Sequence, residues 1–566
     1  MEIRGKVDAG ILQKADRLFR NDDRGIFIEI LQNARRAGAT TVEVTIHPTD
    51  GEENSSTVSV MDNGAGIDDF QDLVTLGRSG WDAQTQKTED PAGMGLFSLC
   101  QSGVEISSGS RSVTISQDVF LGNATAEVTD HPYVAGTRLR FTRSSNHQSL
   151  KNALEAVSRF GPLDVRVNGE SLQRYDFLEG AIHREIIDGI EIGFAITFSH
   201  QVGIHRPENW NFYGALIEEH FPPFFGFLDP GRANSESRLN ARFNVLETGR
   251  IKLQLPDRRS VIRSDFLTAF ERKARAAAYR CFQKQAQHAL TFARWKEARD
   301  LGVVLPEAAR LLTNWTVPAR DDAIEPLFGY GEKEILSNLD RVLLVKSALE
   351  NEYTLQAALH SGATLDFLLY EEKPEFRGYS WYDALPLLVN AAVLVDGIPF
   401  AECEPAAKNN RPNQIEVVVR IEQIGEKAKS LPLPALVHVD EEQVNDLSFV
   451  VVKDSPWDKS GARPFWLADF LMWATFQSSD DLECDSWQTQ RDYYEGFIEE
   501  TLSDYFEGPR SSLLLQLNRF LGSGIGQQAT RLGVTEIKLS RPIPEEHRWN
   551  IELTGGSKEE PPGVSN

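Results

Sequence analysis

The sequence predicts a multidomain α+β protein, and three observations carry that reading. At 566 residues the chain is longer than one hydrophobic core usually serves. Helical periodicity and strand alternation follow one another from the first hundred residues to the last, so neither an all-helical nor an all-β architecture fits. Glycine pairs punctuate the first hundred residues, Gly64 and Gly66 after a strand and Gly93 and Gly95 before a helix. The predicted division is a first unit of mixed helices and strands over 1–155, a second α+β domain over 156–285, a mostly helical region over 286–410, a mixed α/β region over 411–554 and a disordered tail over 555–566.

Taken in order, residues 11–38 carry two amphipathic patterns, Ile11 to Phe19 and Ile26 to Ala37, divided by the turn-prone run Asn21 to Gly25. Thr41 to Ile46 alternates as a strand, and Thr57 to Val60 is a second strand running into Asp62. Phe70 to Leu76 reads as a short helix. The polar run Asp82 to Asp90 has almost nothing to bury, which makes it a candidate lid. Leu96 to Gln101 reads as helix. Val104 to Ser107, Ser112 to Ser116, Ala124 to Val128 and Gly136 to Phe141 read as strands, and the first unit closes near residue 155.

Beyond it, Leu163 to Gly169 is a strand and tight turn, and Ile190 to Phe198 and Arg250 to Leu255 are strands. A helix spans about Ser264 to Lys284. Helical patterns continue to Leu359, a Pro/Asn-rich hinge falls at Glu404 to Gln414, and strands fall near Ile415 to Ile421 and Leu447 to Lys453. Helices close the chain at Pro464 to Phe476 and Arg491 to Phe506.

Charge and cysteine usage limit the function classes. The formal net charge of −24 opposes a surface coated for non-specific nucleic-acid binding, which needs dense cationic groups. Cys100, Cys281, Cys403 and Cys484 form no zinc-ligand spacing and read as reduced thiols. With no apolar leader pattern and no long apolar run, a cytoplasmic protein without a membrane partner is expected.

The chemistry concentrates between Glu29 and Ser98. Glu29 and Asn33 are four apart on a helix and share a face, presenting a carboxylate beside a neutral amide oxygen. An amide oxygen together with phosphates suits Mg2+, and a carboxylate one turn away can polarise a water. Asp62, followed by Gly64 and Gly66, can accept from an exocyclic amine while backbone comes close to a flat base. Gly93 and Gly95 can free backbone N–H groups for phosphate, and Thr137 after Gly136 can add a hydroxyl near the base.

In this order, helix Glu29-x-x-x-Asn33-Ala34, strand-Asp62-x-Gly64-x-Gly66-Ile67, lid, Gly93-x-Gly95-x-x-Ser98 and Gly136-Thr137 resemble the layout of the GHKL (Bergerat-fold) ATPases over roughly residues 10–145. That resemblance implies an α/β sandwich that binds ATP and Mg2+. In it Asn33 binds the metal, Glu29 activates water and Asp62 recognises adenine, while Gly93, Met94, Gly95, Leu96, Phe97, Ser98 and the lid residues Arg78 and Ser79 hold the phosphates. Within the superfamily the unit is most similar to the ninety-kilodalton heat-shock chaperones, with MutL- and MORC-like proteins next. Arg36 stands where those chaperones carry Asp.

The resemblance further implies a transducer-like second domain offering a cation to the γ-phosphate, with Arg258 or Arg259 the candidates and Lys252 a lesser one. It implies a homodimer that turns over ATP as a chaperone-like conformational machine driven by lid closure. A protein client could meet the C-terminal aromatics Trp457, Trp466, Trp473, Trp487, Tyr493, Tyr494 and Phe497. Two alternatives stand beside this: an ATP-dependent DNA clamp using the basic run that includes Arg263, Arg272, Lys273, Arg275 and Arg280, and a nucleotide-binding scaffold with little turnover.

Overall fold

The structure, a computed structural model, describes residues 22–49, 54–78, 80–81, 85–86, 91, 93, 95–198, 209–217, 225–228, 236–246, 249–254, 260–360, 363–399, 412–422, 429–433, 435–438, 448–453, 465–479, 485–522, 524–540 and 550–555. Ser79, Met94, Arg258, Arg259, most of the 82–90 run, Cys403, Cys484 and the tail from 556 lie outside these residues. The chain divides into two compact units, Met1–Ala309 and Arg310–Asn566.

The first unit begins with helix α1, Asp23–Arg36. Asp22 caps it, its side chain accepting from Gly25 N at 2.6 Å, and Arg35 and Arg36 in the last turn complement the helix dipole. Gly38, at φ +75°, turns the chain out of the helix. Ile26, Phe27, Ile30, Leu31 and Ala34 are buried, a stripe that fixes the rotation of α1 about its own axis. Asp23 ties the N-terminal end down, receiving Arg143 Nε at 2.8 Å and Ser145 Oγ at 2.7 Å.

Strands β1 (Thr41–Pro48), β2 (Ser56–Asp62), β3 (Val104–Ile115), β4 (Thr129–Arg143), β5 (Asp164–Val167) and β6 (Glu170–Ser171) form one sheet in the order β3-β4-β2-β1-β5-β6. Only the β1–β5 pairing is parallel. In β1 the alternation holds, with Val42, Val44 and Ile46 buried against α1 and helix α3 (His147–Ser158); the short α2 (Gln117–Phe120) follows β3. The sheet therefore runs past residue 155 to Ser171, because β5 returns alongside β1. The two strands expected at 104–107 and 112–116 are one strand, bulged between Ser108 and Arg111, with Gly109 at φ +57°. Residues 124–128 are not a strand, and the expected helix at 70–76 is a 3-10 turn, Phe70–Val74.

A second sheet, β7 (His183–Ile187), β8 (Ile190–Phe198), β9 (Trp210–Phe212), β10 (Ala215–Ile217), β11 (Phe225–Leu228) and β12 (Glu236–Val245), runs β10-β9-β12-β8-β7 with β11 also on β12. Helix α4 (Asp265–Gln283), capped by Ser264, buries Phe270 against Trp210 and Phe243, and α5 (Phe292–Asp300) follows. The strand expected at 250–255 is reduced to a bridge, Leu253 with Val261, flanked by Gln254 N to Ser260 O at 2.8 Å and Ile262 N to Lys252 O at 2.7 Å.

The β9–β10 hairpin reaches back to α1. Its turn residues Tyr213 and Gly214 have φ +54° and +100°, the left-handed pair that a tight two-residue hairpin requires. Gln32 Nε2 donates to Tyr213 O at 2.9 Å, Gln32 Oε1 accepts from Arg35, and the Arg35 guanidinium lies 4.0 Å from the centre of the Tyr213 ring. A Cβ on Gly214 would come within 3.1 Å of Gly161 Cα, so the turn and the end of α3 approach as bare backbone.

In the second unit β13 (Leu311–Thr313) pairs with β14 (Lys333–Ile335). A larger sheet runs β16-β15-β17-β19-β20 through β15 (Val342–Val345), β16 (Leu368–Glu371), β17 (Leu387–Val395), β19 (Ile415–Glu422) and β20 (Lys429–Leu433), with β18 (Ile398–Pro399) on β17. The mostly helical region expected over 286–410 is thus corrected to a mixed one: its helices α6 (Glu352–His360) and α7 (Ser380–Asp383) are short. The apolar runs at 342–345 and 387–395 are strands, a distinction that short apolar runs do not reveal by period alone. Helices α8 (Phe465–Thr475), α9 (Trp487–Glu507), α10 (Pro509–Gly522) and α11 (Gly524–Arg531) follow the two-stranded pair β21 (Ala435–His438) and β22 (Ser448–Val451); the hairpin β23 (Val534–Ser540) and β24 (Asn550–Gly555) ends the described chain. Among the described residues no helix is long and apolar enough to cross a membrane.

The hairpin contact gives an expected outcome. Gln32→Leu keeps the apolar packing but strands the Tyr213 carbonyl, and should destabilise the chain by about 1–3 kcal/mol in denaturant unfolding. An unchanged midpoint would show that the carbonyl finds water instead.

Candidate functional site

On α1, Glu29, Asn33 and Arg36 fall at i, i+4 and i+7 and form one stripe, while Gln32 and Arg35 flank it and face the second sheet's hairpin. Glu29 is half-buried, and its Oε2 lies against Gly95: a Cβ there would collide with the carboxylate and meet its Cδ at 3.2 Å. The helix carboxylate and the second glycine loop, far apart in sequence, are therefore in contact. Asn33 is also half-buried, and its Oδ1 accepts from Arg36 Nη1 at 3.2 Å.

Asp62 ends β2 directly opposite Thr137 on β4, and Thr137 is buried. Asp62 Oδ1 accepts from Gly64 N at 2.8 Å. Burial pushes the Asp62 carboxyl above the ordinary aspartate value of 3.8, and backbone N–H groups of Gly64 and Thr137 offset part of that. The loop after it is pinned at several points. Ala65 N donates to Ala37 O at 2.8 Å, and a Cβ on Gly64 would sit 2.7 Å from Ala37 Cβ. Gly66, at φ +85°, packs on Ser108, whose hydroxyl accepts from Ile67 N at 2.9 Å and donates to Gly136 O at 2.8 Å. Gly136 lies so close on the Asp62 carbonyl that no side chain fits.

Around the other glycine phrase, Gly77 N donates to Gly93 O at 3.1 Å and Gly93, at φ +60°, rests on the Arg78 backbone. The Arg78 side chain pairs with Asp72 at 2.8 Å. Residues Gly95–Leu99 form a 3-10 turn, in place of the expected helix from Leu96 to Gln101. Phe97 and Ser98 are buried in the domain core, Phe97 with its ring 5.3 Å from that of Phe120, and Leu96 is half-buried. These side chains anchor the turn in the core.

The structure thus joins Glu29, Asn33, Arg36 and Gly95 in one group and Asp62, Gly64, Gly66, Thr137 and Gly136 in another, with Gly64 and Ala65 against Ala37 linking the two. Ser108 and the Arg36–Asn33 bond were not foreseen. Ser108 lies inside a bulge that reads in the sequence as an ordinary Ser/Gly break.

Mg2+ is the metal that the resemblance implies at Asn33, and the geometry tests that fit. An ion about 2.1 Å from Asn33 Oδ1 would stand roughly 4–5 Å from the Arg36 nitrogen that is 3.2 Å from the same oxygen. A double and a single positive charge at that range repel by roughly 7 kcal/mol at an effective dielectric of about 20, before any nucleotide charge is counted. An ion held by Asn33 would therefore need Arg36 to leave that oxygen, and the amide oxygen so freed is a donor that suits Mg2+. Among the described residues no group of three or more His, Cys, Asp or Glu side chains comes together to hold a metal.

Residues 24–130 match the family model described as histidine kinase-, DNA gyrase B- and HSP90-like ATPase. No curated protein matches the chain. Solved structures similar to part of it include the N-terminal domain of a DNA repair protein, at 16% identity over 49% of this chain and 99% of that one, TM-score 0.29. Others are the ATP-binding domain of topoisomerase IV from Francisella tularensis (14%, 49% and 89%, TM-score 0.30) and the B-subunit of DNA gyrase from Myxococcus xanthus (13%, 46% and 89%, TM-score 0.28). Residues 24–130, which hold α1, β2 and the two glycine turns, thus form a region similar to the GHKL-type ATPases.

Because the folded protein holds the Asp62 proton more tightly than the unfolded chain does, the ionised carboxylate costs stability above its raised pKa. Asp62→Asn should therefore raise the unfolding midpoint of the nucleotide-free protein at neutral pH. The gap should close as pH falls from the raised value toward 3.8, where both side chains are neutral. A gap that widens on acidification would reverse the assigned direction.

Proposed function

We propose that the chain binds ATP between α1, the loop after Asp62 and the turn at Gly93–Ser98, and hydrolyses it. The single observation that carries the reading is the Glu29 carboxylate lying against Gly95, which brings a candidate base to the backbone that would receive the phosphates. Asp62 accepts from the exocyclic amine of adenine, Gly64 and Gly66 admit the base, and the Thr137 hydroxyl stands beside it. Gly93, Met94 and Gly95 turn backbone N–H groups to the phosphates, with Leu96, Phe97 and Ser98 holding that turn in the core. Arg78 and Ser79 complete the phosphate contacts. Glu29 polarises the attacking water. Arg258 or Arg259 supplies charge from the second domain, and Asn33 together with the nucleotide's phosphate oxygens would hold Mg2+.

The use of this turnover is proposed to be conformational, as in the heat-shock chaperones whose motifs the site most resembles, with a homodimer as the working form and a protein client at the C-terminal region. The contacts of Gln32 and Arg35 with Tyr213 support it, since a shift of α1 would reach the second sheet through those two side chains. Tyr493, 80% exposed, is the most available of these aromatics among the described residues, whereas Trp473 is core. A DNA clamp is less well supported. Arg263 pairs with Glu271, Lys273 with Asp188 at 2.7 Å, Arg275 with Glu297 at 2.9 Å and Arg280 with Glu185 at 2.7 Å, so the basic run is largely neutralised in place.

Steady-state ATP turnover by wild type and Glu29→Ala tests the reading. The variant should lose about 10²–10⁴-fold in rate while binding an ATP analogue within about threefold of wild type. Equal rates would remove Glu29 as the base, and binding without turnover in wild type would leave a scaffold. Duplex DNA bound by wild type at low salt would favour the clamp.

A further inference from the structure

We infer that β23 is a self-pairing edge: two copies of the chain join β23 to β23 antiparallel about a two-fold axis at Ile537, closing two hairpins into one four-stranded sheet. This surface serves the homodimer proposed above and rests on that reading, not on the nucleotide one.

The hairpin is incomplete by itself. β23 and β24 form a sheet of two strands, and among the described residues no further strand lies on either edge. A two-stranded hairpin is at best marginally stable in water unless something covers it. Its side chains sort cleanly by alternation. Ile537 opposite Leu553 and Leu539 opposite Ile551 share one face, while Glu536 opposite Thr554, Lys538 opposite Glu552 and Ser540 opposite Asn550 share the other. The apolar face is not taken up by the chain's own core: Ile551 is 63% exposed, Leu553 58% and Leu539 37%. Leu532, at the entry to β23, is 54% exposed as well.

The strand's own sequence fits a second copy of itself. Glu536 and Lys538 flank Ile537, so an antiparallel copy sets Glu536 opposite the partner subunit's Lys538 and Lys538 opposite the partner subunit's Glu536. Moving the axis one residue either way would put glutamate on glutamate or lysine on lysine. An axis between residues would lay the apolar face of one copy beside the polar face of the other, so one register is selected. Neither charge is committed within the chain: Lys538 lies 3.7 Å from Glu552 with both side chains 66% exposed, and Glu536 is exposed and joins no ion pair among the described residues. The formal net charge of −24 makes two copies repel over most of their surface. Between Glu507 and Glu536, however, there is no Asp or Glu, whereas Arg510, Arg519 and Arg531 fall there, so β23 follows a stretch from which that excess is missing. Joined in this way, the β23 edges satisfy each other's N–H and C=O groups and the two apolar faces become one.

Sedimentation equilibrium of the full chain over a concentration series, with and without ATP, tests this in wild type, Glu536→Lys and Lys538→Glu. Wild type should dimerise without nucleotide. Each swap sets like charges opposite one another twice and should weaken the dimer by about tenfold or more. An equimolar mixture of the two variants should recover it to within about threefold of wild type, because one copy then brings two lysines and the other two glutamates. That recovery requires both variants to be folded, so loss of the dimer through misfolding cannot pass as support. A wild-type dimer that both swaps leave intact overturns the pairing of β23 and leaves the homodimer reading standing. Variants that stay monomeric when mixed overturn it as well, and so does wild type that dimerises only with ATP. Wild type that is monomeric in both conditions overturns the homodimer reading and the self-pairing edge with it.

Discussion

The seating of α1 on its sheet is the constraint on which the rest of the first unit depends. Ile26, Phe27, Ile30, Leu31 and Ala34 have one way to bury together, and that choice sets the direction of every other side chain on the helix. Glu29 is then aimed at the Gly95 turn, with Asn33 and Arg36 farther along the same stripe, and Gln32 and Arg35 at the hairpin of the second sheet. A rotation of the helix by the angle of one residue would lose both sets of contacts and expose part of the apolar stripe. The apolar residues thus act at the site without touching it.

Close backbone approach is the second theme. Gly64 on Ala37, Gly95 on Glu29 and Gly136 on Asp62 are contacts that no Cβ would permit, and they bring three separate stretches of chain to within bonding distance. The β2–β4 register does the remaining alignment by setting Asp62 opposite Thr137. Burial of the Asp62 carboxyl follows from the same closeness, and the backbone donors of Gly64 and Thr137 keep its cost in check.

Much of the candidate site was legible in the sequence because its parts are local. A carboxylate and an amide four residues apart on a helix, or an aspartate at a strand end before two glycines, are patterns that a short window contains. What was not legible depends on partners distant in the chain. Ser108 bridges Ile67 and Gly136, the basic residues of α4 meet Asp188, Glu185 and Glu297, and Gln32 meets a hairpin about 180 residues away. The region from 286 to 410 misled because short buried strands and short helices carry the same apolar runs. The bulged β3 misled because Ser-Gly-Ser is the usual sign of a turn. Arg36 was in view as a departure from pattern, but its bond to Asn33, three residues back on the same helix, was not.

The order of the first sheet bears on how this domain can be cut out and handled. The segment that matches the family model ends at residue 130, two residues into β4, yet β1 is completed on its far side by β5, which the chain reaches only after α3. A fragment ending at 130 would leave β2 without most of its β4 partner and β1 with an open edge of unpaired N–H and C=O groups, a template for aggregation. A soluble excised domain has to extend through Ser171. Since Gln32 and Arg35 normally lie under Tyr213, such a fragment would also bare a patch on α1 that the intact chain keeps covered.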